Sequence, residues 1–349
     1  MDQFLYDLLS DFHVLILIAV IVGSLAALGK GADLLVDEAV RLSVKSGIPT
    51  VVVGATIVSL GTTMPEAAVS VFASVQGNPD LALGNAVGSI ICDTGLIIGL
   101  AALIRPLPLN RSVTNRQGWL QIGFPALLVS VAIFSLAGAV GTLFTADTAP
   151  GYVPQWMGFV FIGLLIGYIY LTIRWSKRDK EKDIDAAEEV LSQVAEGAST
   201  GIVLLRLIIG VLIIVASSKL LIPAVEITAV RAGIPAAVIA ATMVALGTSL
   251  PELVTAITAT RKGHGELAIG NVIGADILNV LFVAGVSAAV TPGGLVVPGF
   301  FFHLQFPAMI VLLALFRFIT LAAKKEVGRP AGAALLAIYA VYVVISYVT

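Results

Sequence analysis

Hydrophobic and polar positions along the chain fall into ten long apolar stretches separated by short polar ones. Their approximate limits are 12–42, 48–76, 80–104, 118–141, 154–175, 200–228, 234–261, 265–289, 298–321 and 329–347. Runs such as Val14–Leu28, Ile122–Leu143, Phe159–Ile173 and Phe306–Phe316 are nearly free of charge. A helix needs about 20 apolar residues to cross ~30 Å of hydrocarbon. The pattern therefore predicts an all-α polytopic membrane protein with ten transmembrane helices. The long polar stretch, WSKRDKEKDIDAAEEVLSQVAEGAS at Trp175–Ser199, splits the chain into two sets of five spans: residues 1–174, a linker at 175–199, and residues 200–349. The linker reads as a short amphipathic helix or a simple connector.

The two halves repeat. Shifted by 186 positions, Gly47–Asp93 lies on Gly233–Asn279 without a gap, and about 20 of 47 residues are identical. Two five-span halves in one chain must sit in opposite orientations across the membrane, because five is odd. Basic residues test the orientation. With the N-terminus outside, the inner loops hold Arg41 and Lys45; Arg105, Arg111 and Arg116; Arg174, Lys177, Arg178, Lys180 and Lys182; Arg261 and Lys262; and Lys324, Lys325 and Arg329. The outer loops hold Arg231. Both termini are expected outside and the linker in the cytoplasm, in an inner (cell) membrane. The opening MDQFLYDLLSDF lacks the basic region of a cleavable signal peptide, so the first span is expected to remain.

Composition narrows the function. The chain has 349 residues, 58% hydrophobic and 12% charged, against roughly 25% charged in soluble domains. A net charge of −2 gives no support to a nucleic-acid partner. The single Cys92 excludes a disulfide framework and a cysteine-based metal site. His13, His264 and His303 have no partners at ligand spacing. No paired nucleophile and base and no phosphate loop is present, so an enzyme is not expected, nor is a cofactor.

The candidate chemistry lies in two copies of one motif, GTTMPE at Gly61–Glu66 and GTSLPE at Gly247–Glu252. Proline lacks an N–H, so the carbonyls of Gly61 and Gly247 lose their helical donors at Pro65 and Pro251. Irregular backbone at membrane depth is tolerated only within protein or beside water. Freed carbonyls, the hydroxyls of Thr62, Thr63, Thr248 and Ser249, and the carboxylates of Glu66 and Glu252 make an oxygen-rich setting suited to calcium. The bland alternative is a proline kink whose glutamate pairs with a buried lysine. Lys30 and Lys219 are the nearest candidates, and neither matches the motifs in depth. An unpaired charge at the bilayer centre costs at least ~2.5–3.5 kcal/mol on insertion scales.

A second pair follows: GNAVGSIICD at Gly84–Asp93 and GNVIGADILN at Gly270–Asn279. Glycines four apart allow close helix packing. Ser89 and Asp93 share a helix face in the first copy, as do Ala275 and Asn279 in the second. Asp276 lies on a different face, and a structural role is as plausible for it as a functional one.

The duplicated G-T-[ST]-x-P-E followed by G-N-x-x-G resembles the sodium/calcium exchanger family, within the wider cation/calcium antiporter superfamily, over nearly the whole chain and in a compact form similar to the prokaryotic members. The resemblance implies a central diamond of Glu66, Asp93, Glu252 and Asn279. Calcium would be held by Glu66 and Glu252 with the carbonyls of Thr62 and Thr248. Sodium would use Thr62, Thr63, Ser89, Thr248 and Ser249, with carbonyls near Ser59 and Ala245. Two departures bear on the driving ion. Ala275 stands where the family usually has serine, and the lone aspartate, Asp93, falls in the first half rather than the second. The resemblance implies Na+/Ca2+ antiport by alternating access, with inorganic cations and the lipid bilayer as partners. Proton-coupled transport of calcium or another divalent ion, a passive cation channel and a non-transporting protein with a structural metal are the alternatives. The first spans of the halves, Leu15–Arg41 and Ile202–Ala229, are long and unbroken, and the resemblance implies that they slide across a rigid core.

Overall fold

The structure is a computed structural model that describes residues 2–136, 150–180, 199–233, 247–323 and 325–348. Helices account for nearly all of it. In chain order they are α1 (Asp2–Ser10), α2 (Val14–Ser46), α3 (Thr50–Thr62), α4 (Met64–Val75), α5 (Pro79–Ile104), α6 (Arg111–Ser135), α7 (Gln155–Lys180), α8 (Thr200–Arg231), α9 (Leu250–Arg261), α10 (Gly265–Val290), α11 (Phe301–Ala322) and α12 (Arg329–Val348). Eight of these are long and apolar enough to cross a membrane, and α3 with α4 forms a further span bent by 44°.

The apolar pattern located the helices better than their ends. The fourth span begins at Arg111 rather than near 118, because Asn110 caps it, its side chain accepting from the Val113 N–H at 3.3 Å. Apolarity alone ignores that polar first turn. The first span runs on to Ser46, where Gly47 closes it in the left-handed region at φ 63°. His13 has a local structural job, accepting the Leu15 N–H at the start of α2. The expected seventh span enters the described residues at Gly247, and of the linker only the continuation of α7 to Lys180 is described.

Two helices form the centre. The most apolar stretch of α10 is 89% buried and that of α5 is 72% buried, whereas the other spans are 11–39% buried and turn apolar side chains outward to lipid. Backbone contact is close where glycine permits it. A Cβ on Gly270 would fall 2.1 Å from the Val51 carbonyl oxygen, and one on Gly274 would fall 2.6 Å from Ala55 Cα. Glycine at these two points is what lets α3 lie directly on α10.

The halves interlock at their ends. Strand β1 (Leu107–Pro108) pairs antiparallel with β4 (Glu326–Val327), and β2 (Gly151–Val153) with β3 (Leu295–Val297). Each ribbon joins a strand of the first half to one of the second. The two longest helices, α2 and α8, run against each other, with Gly31 and Gly210 at their closest approach. They flank the central group rather than entering it.

Candidate cation site

Both motifs open a helix in the same way, and the first also ends one. In the first motif α3 ends at Thr62, Thr63 links the two pieces, and Pro65 opens α4 with Glu66 in its first turn. In the second, Ser249 precedes α9, Pro251 opens it, and Glu252 lies in the first turn. Neither Thr63 nor Ser249 caps its helix with a side chain. Helix starts present unpaired N–H groups and a partial positive charge, so both carboxylates sit where the backbone favours them.

The second motif pair adds a local widening. A π-helical turn begins at Asp93 and runs to Ile97; its counterpart begins at Asn279 and runs to Ala284. Such turns interrupt the regular ladder and are frequent at functional sites.

Hydrogen bonds cross between the copies. Thr63 Oγ1 donates to Glu252 Oε1 at 3.3 Å. Thr62 Oγ1 donates to Asn271 Oδ1 at 3.3 Å, and Thr248 Oγ1 donates to Asn85 Oδ1 at 3.0 Å. Asn85 also donates through Nδ2 to the Glu66 carbonyl at 3.3 Å and to Ser70 Oγ at 3.0 Å. Asn85 and Asn271 were absent from the expected site residues. Their signal was present as the N of the duplicated GN, which reads as a packing motif until the threonine contacts are seen.

Burial of the expected residues is nearly complete. Glu66 and Glu252 are each 1% exposed and Asp93 is 0% exposed, while Thr62, Thr63, Ser59, Ser89, Ser249 and Asn279 are buried as well. Thr248 is half-buried, and Ala245 lies outside the described residues. The charges of Glu66, Asp93 and Glu252 are within reach of one another. Ser249 Oγ lies beside the Asp93 carboxylate without bonding to it. The Ser59 hydroxyl donates to the Thr56 carbonyl at 3.3 Å.

What distinguishes the site is unmet demand. Glu66 Oε2, Glu252 Oε2, both Asp93 carboxylate oxygens, Ser89 Oγ, Ser249 Oγ and Asn279 Oδ1 are buried with no hydrogen-bond partner. Leaving one buried polar atom unsatisfied costs about 1–3 kcal/mol, and more when it is charged. Among the described residues no lysine or arginine forms an ion pair with either glutamate. The kinked-helix reading, which needs such a lysine, loses its support. The donor set is acidic oxygen, hydroxyl, amide and freed carbonyl, which fits a hard cation. Among the described residues no three His, Cys, Asp or Glu side chains are set to hold one metal ion. Two carboxylates with carbonyl and hydroxyl oxygens are the arrangement present.

A cleft of about 580 Å³ reaches this centre. It runs from exposed Asp80 and Leu81 to Asn85, Ser89, Thr248 and the two motif prolines. Asp276, also 0% exposed, stands apart from the glutamates: its Oδ2 accepts from Thr94 Oγ1 and Gln121 Nε2, both at 2.6 Å.

Comparison with known proteins agrees with this geometry. The chain matches the family described as sodium/calcium exchanger protein over residues 16–174 and 202–348. It is 30% identical to the inner membrane protein YrbG of Escherichia coli, over 96% of this chain and 98% of that one. It is also 30% identical to the sodium/calcium exchanger MaX1 of Methanosarcina acetivorans, over 93% of this chain and 96% of that one. Its fold resembles that of the sodium-calcium exchanger NCX_Mj with a TM-score of 0.76 at 24% identity, covering 95% of this chain and 99% of that one. The site geometry and these likenesses converge: this multi-span membrane protein belongs to the sodium/calcium exchanger family.

Proposed function

We propose that the protein is an antiporter that exchanges Ca2+ for Na+ by alternating access, with ten spans arranged as two inverted halves. One observation carries the reading. A glutamate from each half is buried with no basic partner among the described residues, and Thr63 of the first motif bonds to Glu252 of the second. Glu66 and Glu252, with the carbonyls of Thr62 and Thr248, hold the divalent ion. Thr63, Ser89 and Ser249, with Asp93 and Asn279, supply oxygens for sodium at flanking positions. Sharing the glutamates makes the two ions compete, and an empty site leaves charges too costly to move across the bilayer. Exchange follows from that competition.

The repeat extends to backbone detail, which supports the inverted build: Gly47 and Gly233, and Gly77 and Gly263, take positive φ in corresponding places. In the N-outside orientation, with 175–199 in the cytoplasm, the cleft from Asp80 opens to the outer side. The inner side is closed by α3 packed on α10 at Gly270 and Gly274. Opening the other side requires α2 and α8 to move across the centre.

A proton as the driving ion is the second reading. It is favoured by Ala275, which removes a hydroxyl from one flanking position, and by Asp93, whose unpartnered oxygens are fully buried. Proteoliposomes separate the two. Ca2+ uptake that follows an outward Na+ gradient at equal pH supports sodium; uptake that ignores Na+ and follows a pH gradient supports the proton.

A further inference from the structure

Asp276 adds a fourth carboxylate to the buried core. Ionised, Glu66, Asp93, Glu252 and Asp276 carry four negative charges, and one divalent ion offsets two. Among the described residues no ion pair with lysine or arginine reaches any of them. The Asp276 Oδ2 is held by Gln121 of α6 and Thr94 of α5, which fix its orientation, and its Oδ1 has no partner. Beside Thr94 in sequence, Asp93 lies within reach of the Glu252 charge and also of the Asp276 charge, and neither of its oxygens has a partner. Three unpartnered carboxylate oxygens, two on Asp93 and one on Asp276, are thus fully buried.

We infer that Asp276, with Asp93 and the Thr94 hydroxyl, forms a second site for a hard monovalent cation, filled while the Glu66–Glu252 site holds the divalent ion. This rests on the exchanger reading of the central site. Gln121 is a positioning residue: it donates to Asp276 and has no oxygen in the proposed shell. A monovalent ion offsets one of the two charges that the divalent ion leaves, and oxygen ligands suit Na+, K+ or Li+.

The test uses the purified full chain and thermal unfolding at constant ionic strength, repeated at two buffered pH values. Ca2+ is held at saturation while NaCl, KCl or LiCl replaces N-methyl-D-glucamine chloride. At least one of the three ions is expected to raise Tm beyond the Ca2+ shift. Asp276→Asn should weaken that increment at least tenfold in apparent affinity and keep the Ca2+ shift, whereas Glu252→Gln should lose the Ca2+ shift. If Asp276→Asn fails to fold, Thr94→Val provides the same comparison. A wild type that responds to Ca2+ but to none of the three ions overturns the second site alone, as does an increment that survives in Asp276→Asn or, where that variant fails to fold, in Thr94→Val. A stabilisation that follows pH and not the cation also overturns it, assigning the charge to a proton. A wild type with no Ca2+ shift overturns the central-site reading beneath it.

Discussion

Four buried carboxylates with no basic partner among the described residues are tolerable only because other groups surround them. Two start helices, two flank a π-helical turn or its hydrogen-bonded neighbour, and all are ringed by threonine, serine, asparagine or glutamine. From the proposed ligand roles, Glu66→Gln or Glu252→Gln keeps size and loses charge. Each should reduce Ca2+-dependent thermal stabilisation at least tenfold in apparent affinity while the protein still folds, read by a Ca2+ titration of Tm. Ala275→Ser restores a hydroxyl beside Asn279 and should tighten Na+ competition against Ca2+ by roughly three- to tenfold, on the order of the 0.5–1.5 kcal/mol of one added hydrogen bond. At this scale the sequence was informative for duplicated, polar positions. Glu66, Glu252, Thr62, Thr63 and Asp93 stood out because polarity in an apolar run is costly. Asn85 and Asn271 did not, since an asparagine after glycine is ambiguous until its partner is known. Asp276 was ambiguous for the same reason; its partners, Thr94 and Gln121, lie 182 and 155 residues away.

Helix pieces meet through glycine, and this sets the closed side of the centre. A valine at Gly274 would drive its Cβ to 2.6 Å from Ala55 Cα and 2.5 Å from Ser59 Oγ. Gly274→Val should destabilise by about 1–3 kcal/mol or more through overpacking. Gly23→Val, with open space around it, should lie within about 0.5 kcal/mol of wild type apart from helix propensity. Comparing the two in one thermal series checks that the loss comes from the α3–α10 contact. Element positions were legible because apolar length and two Pro-Glu motifs leave few alternatives. Element ends were less so. The start of α6 depends on an asparagine cap, and the short ribbons β1–β4 and β2–β3 involve two or three residues each, too few for any periodicity to reveal.

Across the whole molecule, α2 and α8 flank a core whose interlocked ribbons resist separation. On the proposed inner side, Lys262 Nζ reaches Asp37 Oδ1 at 2.8 Å and Asp33 Oδ1 at 3.1 Å, tying α2 to the end of α9. Partial burial pulls the Lys262 ammonium down, but hydrogen bonds and charge from Asp37 and Asp33 outweigh it and raise its pKa above the ordinary value. A raised lysine value stabilises the fold below the unfolded pKa of about 10.4 and loses that contribution as pH rises through the folded value. The tie is therefore intact at neutral pH. Lys262→Met should lower stability by about 0.2–1 kcal/mol, a Tm gap that stays flat between pH 6 and 9 and narrows above the folded value. The pairing of halves was visible in the 186-residue shift, whereas the packing of α2 along α8, the first long helix of each half, depends on side chains outside the ungapped repeat of Gly47–Asp93 on Gly233–Asn279 and left no pattern to read.

The central claim is that two mirrored glutamates bind Ca2+ in exchange for Na+. Its most direct measurement is 45Ca2+ uptake into proteoliposomes loaded with Na+ and diluted into Na+-free medium at equal pH, with Glu66→Gln and Glu252→Gln alongside. Uptake should require internal Na+, collapse when an ionophore dissipates the Na+ gradient, and fall at least tenfold in both variants. Uptake of equal size without internal Na+, or retained in the two variants, would contradict the account.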